Sequence, residues 1–381
     1  MSVLRHLRRL AASAVVSAAL LSGSSFADIK SFNDAMIARD YKKAAAEAAA
    51  TWPTLDKSRD DLAIIAREFG FAAYVAGDFA AAKMYGEAAV AGGVTHNEAP
   101  ALRAGSEVLL RLADLKLAPT KAKRDLLYAA LDARAEKEGV DLISYFGADA
   151  VTAYDFDNGS WNDAVADAAL GERLTDRDAT YAAQVYRFGL FRHVARYMSE
   201  NTVEVYKDVY ALRQRMIAAI NAAPNDEDVA ALTAFYWEMY AWESSMETHL
   251  LGRRKLQKDQ VTALNDAAKK SRSINDRATR LLTLSAADDP CEARIDMRRT
   301  PNYPSSARYK GLIGTVILRV DVDAKGVARN PKLLAAVPEA GFGEAVMKTA
   351  AYLRFVPGKT WSNTCSLAQP GKVITFIFTI G

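Results

Sequence analysis

Residues 314–326 read GTVILRVDVDAKG, and this stretch decides the fold of the C-terminal part of the chain. Val316, Leu318, Val320 and Val322 fall on one face, and Thr315, Ile317, Arg319 and Asp321 on the other. That alternation predicts a half-buried strand. Asp323-Ala324-Lys325-Gly326 follows as a hairpin turn, with glycine where a positive φ is expected. A second strand is predicted from about Val327 to Ala335. Phe342 to Leu353 reads as a helix, with Phe342, Ala345, Val346, Thr349, Ala350 and Leu353 inward, and Arg354-Phe355-Val356-Pro357 ends it. Gly371 to Ile380 is a final strand, with Ile374, Phe376, Phe378 and Ile380 on one face.

Upstream the pattern is different. Residues 28–285 are rich in alanine and poor in proline, with apolar residues at three- and four-residue spacing, which predicts helix almost throughout. Phe69-Gly70, Gly77-Asp78-Phe79, Ala82, Tyr85 and Ala89 resemble a tetratricopeptide unit. In such a unit Gly70 lets two helices approach closely, and Asp78 is a plausible N-cap for the second helix. Asp40-Tyr41 and Ala44 form a fainter copy 38 positions earlier, and Gly159-Ser160-Trp161 with Ala164 and Ala168 a weaker third. The alternative is a generic bundle with alanine-rich contacts. Longer helices are expected over Ala179–Met198, Val203–Ala222, from Asn225-Asp226 to about Leu251, and from about Asp259 to Leu284. The aromatic run Phe235, Tyr236, Trp237, Tyr240 and Trp242 reads either as core or as the lining of a groove.

The C-terminal pattern resembles the TonB C-terminal domain family. The residues that carry the resemblance are Tyr303-Pro304, Gly311 and Gly314 before the first strand, and Val320-Asp321 leading to Gly326. Leu353-Arg354-Phe355 with Pro357, and the closing Phe376-Ile377-Phe378, complete it. The resemblance implies a small antiparallel sheet with a helix on one face. It also implies binding of a short partner peptide, such as a segment of an outer-membrane transporter, by strand addition at a sheet edge. On that reading Tyr303 and Pro304 lie near the partner, and the strand from Lys372 to Thr379 is the candidate edge, with Lys372, Val373, Thr375, Ile377 and Thr379 as contact residues. The alternative role for Tyr303-Pro304 is to fix the start of the first strand. Two departures from full TonB proteins put force transduction in doubt: no convincing retained anchor, and no long proline-rich spacer.

The N-terminus reads as a secretory signal. Arg5, Arg8 and Arg9 precede an apolar run from Leu10 to Leu21, and Ser25-Phe26-Ala27 offers a cleavage site before Asp28. An uncleaved anchor is the alternative. Cleavage removes three of 49 basic residues, leaving 46 against 46 acidic ones. That balance conceals an asymmetry: residues 290–381 hold 13 Lys/Arg and 6 Asp/Glu, a net of +7, so residues 28–289 carry about −7. The basic segment suits acidic protein surfaces, wall polymer or lipid headgroups, or is an ordinary solvated surface. Nucleic acid is not expected for an exported, neutral chain.

Only Cys291 and Cys365 are present, and both belong to an oxidising compartment if the chain is exported. One disulfide between them is expected, closing a loop of about 75 residues, a span for which chain entropy predicts a few kcal/mol. Two separate buried thiols are the alternative. His96, His193 and His249 are far apart and lack metal-ligand spacing. Asp155-Phe156-Asp157-Asn158-Gly159 fails the register of a calcium loop and reads as a turn between helices. Glu243 and Glu247 share a helix face and read as solvated rather than as an acid–base pair. No nucleophile elbow, phosphate loop or metalloprotease motif occurs.

The sequence therefore predicts an α+β protein: a signal over 1–27, a tetratricopeptide-like helical domain over 28–285 and a TonB-like domain over 290–381. The expected role is a periplasmic adaptor that binds protein or peptide partners, with no enzyme activity, cofactor or metal. Membrane attachment is expected only if the N-terminus is retained. The alternatives are a membrane-anchored energy transducer and a peptidoglycan-binding or wall-processing protein.

Overall fold

Short polar side chains start the helices of the first half. Asp40, Asp78 and Asp141 each accept a hydrogen bond from the backbone N–H three residues on, at 3.1, 3.0 and 2.8 Å. Each bond satisfies an N–H that has no partner within its own helix. The computed structural model describes residues 29–137, 141–176, 181–272, 291, 293–297, 299–359 and 361–379. The predicted signal at 1–27 lies outside them, as do Ile380 and residues 273–284 of the last predicted helix. The chain divides between Ser199 and Glu200 into two compact units. The change in sequence pattern falls later, near residue 290.

The first unit holds α1 (Lys30–Ile37), α2 (Tyr41–Thr51), α3 (Leu62–Ala76), α4 (Phe79–Thr95), α5 (Pro100–Leu117), α6 (Lys121–Lys137), α7 (Leu142–Asn158), α8 (Trp161–Thr175) and α9 (Ala182–Glu200). From α1 to α8 each helix packs against the next. Gly70 is needed where α3, α4 and α5 meet. A Cβ there would lie 3.2 Å from the Tyr85 Cβ and 2.7 Å from Leu109 Cδ2. Ala82, Ala89 and Tyr85 are buried along α4, and Tyr85 packs edge-on against Trp52 and Phe69. Residues 155–158 correct the turn reading. They form the last turn of α7, and Gly159, at φ 69°, ends it.

The second unit holds α10 (Val203–Ala222), α11 (Asp226–Gly252), α12 (Lys258–Arg272), β1 (Ala293–Met297), α13 (Ser305–Tyr309), β2 (Gly314–Val322), β3 (Ala328–Val337), α14 (Phe342–Ala350), β4 (Leu353–Pro357) and β5 (Gln369–Phe378). The fold is α+β overall, with a mostly helical N-terminal region and small antiparallel sheets at the C-terminus. One sheet has the order β3-β2-β5 and the other is β1-β4. Among the described residues no helix is long and apolar enough to cross a membrane.

The hairpin of β2 and β3 turns at Gly326, whose φ is +74°. A Cβ there would lie 2.1 Å from the Phe355 carbonyl oxygen, so only glycine fits. Asp323 Oδ1 secures the turn by accepting from the N–H groups of Lys325 and Val327, both at 2.9 Å. Val316, Leu318, Val320 and Val322 form the core with Phe342, Val346 and Ala350 of α14.

Three details differ from the sequence reading. First, the helix from Phe342 stops at Ala350, and Leu353 begins a strand, β4. Leu353 and Phe355 bury their side chains as β4 pairs with β1, where Ile295 opposes Phe355. Second, β1 itself was not foreseen, because five residues give too little alternation to register. Third, β2 is buried on both faces over Thr315 to Ile317. Helix α11 packs against β3, β2 and β5, and the Ser245 and Thr315 hydroxyls share a 2.6 Å hydrogen bond. The aromatic run of α11 is core at Phe235, Tyr236, Trp237 and Trp242.

Candidate partner-binding surface

β5 begins just after Cys365, which is joined to Cys291 in a disulfide with Cα atoms 5.3 Å apart and a sequence separation of 74. The bond ties the residue before β1 to the loop that leads into β5. Gln369 adds a 3.4 Å bond from its amide to the Cys291 carbonyl. Gly371 donates its N–H to Asp321 Oδ1 at 2.9 Å, which holds the start of β5 against the far end of β2.

Among the described residues β5 pairs with β2 alone, so its other side is a sheet edge. Alternate residues on such an edge turn unpaired N–H and C=O groups outward. The register sets the side-chain rows. Ile377 opposes Thr315, Thr375 opposes Ile317 and Val373 opposes Arg319, so these three share the face on which α11 lies. Val373 and Thr375 are half-buried, whereas Ile377 is 41% exposed. Lys372 belongs to the opposite row, opposing the buried Val320. Its Nζ lies 5.8 Å from the Phe355 ring centroid and donates to Gln369 Oε1 at 3.2 Å. Thr379 is exposed and follows the last residue of β5.

Tyr303 does structural work. Its ring meets Phe342 and Phe378 edge-on, at 5.5 and 5.7 Å between centroids, and its hydroxyl donates to the Leu312 carbonyl. Burial raises its pKa above the usual phenol value, with the nearby Arg308 charge acting the other way. These contacts fix the turn ahead of β2. Pro304 sits beside Gly341 and lines a surface groove of about 420 Å³ with Asn302, Ser306, Glu344 and Lys348. The sequence-named residues therefore fall in two places, the β5 edge and this groove, with Phe378 of β5 packed on Tyr303 between them.

Two features were not read from the sequence. One is α11 over the second face of the sheet. The other is Glu243, which is buried and holds Arg213 through both carboxylate oxygens, with one of these bonds at 2.9 Å. The solvated-face reading is corrected for Glu243. Spacing placed it on a helix face, but only packing showed that α10 covers that face.

The geometry is that of a small α+β domain with an open strand edge. Residues 299–373 match the family described as Gram-negative bacterial TonB protein C-terminal, in agreement with the resemblance read from the motifs. No curated protein matches the chain. The matched family suggests a TonB-like energy-transduction or outer-membrane transport link, a setting in the cell envelope, and protein partners.

Proposed function

We propose that the protein is a periplasmic adaptor that takes an extended segment of a partner protein onto β5 by strand addition. The observation that carries this reading is the edge of β5, unpaired among the described residues, at the end of a segment matching the TonB family. Main-chain bonds at such an edge supply affinity, and alternate side chains supply selectivity. The net charge of +7 on residues 290–381 favours acidic partner surfaces. The helical unit is then a second binding scaffold of tetratricopeptide type. Support for this comes from the Asp40 and Asp78 caps and the close helix approach at Gly70. No catalytic role is assigned to either unit.

The direct test is site-specific photocrosslinking in cells from Val373, Thr375 and Ile377, with the trapped proteins identified. Capture of an outer-membrane transporter is the expected result. Capture of soluble proteins alone would remove the transport link. The family match also favours a second reading, a TonB-type energy transducer that keeps residues 1–27 as its anchor. The intact mass of the protein purified from the envelope separates the two. A chain beginning at Asp28 supports the adaptor, and one retaining residues 1–27 supports the transducer.

A further inference from the structure

We infer that α11, which lies outside the family-matched segment, forms one wall of the strand-accepting site, and that the site selects a strand with apolar side chains facing that wall. The inference rests on the strand-addition reading of β5.

The argument starts from two residues in register. Thr315 and Ile377 oppose each other across β2 and β5, so their side chains share one face of the sheet. Thr315 is fully buried on that face, and its hydroxyl meets Ser245 of α11 at 2.6 Å. Ile317, two residues along, is also fully buried. One strand further out, Ile377 is 41% exposed. The cover that α11 provides is therefore complete over Thr315 and Ile317 of β2, gives out at the exposed Arg319 of the same row, and thins across β5. What remains is a ledge: an apolar side chain at the sheet edge, with a helix rising beside it.

A strand added to β5 extends this face by one row, since neighbouring strands lie about 4.8 Å apart. Its side chains on the α11 side would stand next to Val373, Thr375 and Ile377, at the margin of the helix's cover. Polar side chains there would lose water and find a single hydroxyl, that of Thr375, since Val373 and Ile377 offer no polar group. Apolar ones would complete the burial that the exposed Ile377 lacks. A free TonB-like sheet without such a helix would leave both choices in water. The wall is thus a source of side-chain selectivity that the matched segment does not itself contain.

The test uses the full chain and two fluorescein-labelled peptides. One is Ser-Gly-Thr-Val-Thr-Val-Thr-Val-Gly-Ser, and in the other the three valines are serines. The valine peptide is expected to bind at least about tenfold more tightly, the scale set by burying a few methyl groups. Hydrogen exchange should slow both in 369–378 and in 241–249 of α11. Ile377→Thr, which keeps a β-branched residue on the edge, should cut the valine preference to about threefold or less, by weakening the valine peptide and giving the serine peptide a hydroxyl to bond. Failure of both peptides to protect 369–378 overturns the strand-addition reading itself. Binding that protects 369–378 but shows no valine preference, or no slowing in 241–249, overturns the wall alone.

Discussion

Both compact units bury arginine, and Arg213 in the second and Arg124 in the first are neutralised by different means. In the second unit Arg213 of α10 is 1% exposed and meets Glu243 of α11 through two parallel bonds. One cation faces one carboxylate, in the planar geometry that a guanidinium favours. In the first unit Arg124 of α6 faces two buried carboxylates, Asp155 of α7 and Asp167 of α8, and the exposed Asp125 beside it at 3.2 Å. Arg124 Nη2 lies 2.6 Å from Asp155 Oδ2 and also bonds Asp167 Oδ1. Two buried negative charges against one positive charge would leave an excess. Burial, joined by a hydrogen bond with Asp155, pushes the Asp167 carboxyl up to about 8, against the pull of Arg124. The cluster at Arg124 thus keeps a proton, whereas Arg213 and Glu243 match charge with charge, with the pKa of the half-buried Glu247 nearby raised by burial and by the Glu243 charge.

The largest expected effect breaks the matched pair. Arg213→Met leaves Glu243 buried without its cation, and about 3–5 kcal/mol of stability should be lost in denaturant unfolding. A loss below about 1 kcal/mol would mean that Glu243 finds water or holds a proton. Arg213→Lys should also destabilise the unit, because one ammonium cannot reproduce the two parallel bonds.

The second prediction concerns the retained proton. The folded-state pKa of Asp167, about 8, lies above the ordinary value, so the folded state binds more protons than the unfolded one between about pH 4 and 8. The stability contributed by this group is complete below pH 4 and is lost as pH rises through 8. The slope is at most about 1.4 kcal/mol per pH unit. Asp167→Asn should flatten this dependence when the melting of the helical unit is followed from pH 5 to 8.5. An unchanged slope would mean that another group carries the proton.

Smaller effects sharpen the comparison. Asp40→Ala and Asp78→Ala each remove one cap in the helical unit and should cost about 1 kcal/mol. Asn225→Ala, at the start of α11, removes a cap of the same kind, a 2.9 Å bond to the Asp228 N–H, and should cost a similar amount. The hydroxyl pair gives single effects of the same size but a non-additive double. Ser245→Ala or Thr315→Val alone should cost about 1 kcal/mol, and the double variant less than the two together, because neither buried hydroxyl is then left unpaired.

Much of the second unit was legible because its elements alternate with period two. Thr315 to Val322 shows strand periodicity in eight residues, and the Asp323–Gly326 turn has the composition its backbone demands. The β1–β4 pair was not legible. Leu353 and Phe355 are spaced by two, but Leu353 also extends the helical pattern from Phe342, and no local rule decides between the two readings. The Asp155–Gly159 stretch was misread for a related reason: turn-like composition at a helix C-terminus looks the same as a turn. The β5 residues could be named from motifs, but not their sorting into rows. That needed the register, which places Val373, Thr375 and Ile377 with Thr315 and sets Lys372 apart.

By itself the sequence determined the α+β class, the β2–β3 hairpin, the helix starts at Asp40, Asp78 and Asn225, and the pairing of the only two cysteines. All of these follow from short-range patterns or from counting. Only the tertiary structure decided which charges are buried against each other, and that a helix from outside the TonB-like segment covers the second face of its sheet. Thr315 and Ile317 look solvated by alternation, and Glu243 looks solvated by helix spacing. Periodicity records which side chains share a face, but whether that face meets water depends on distant parts of the chain.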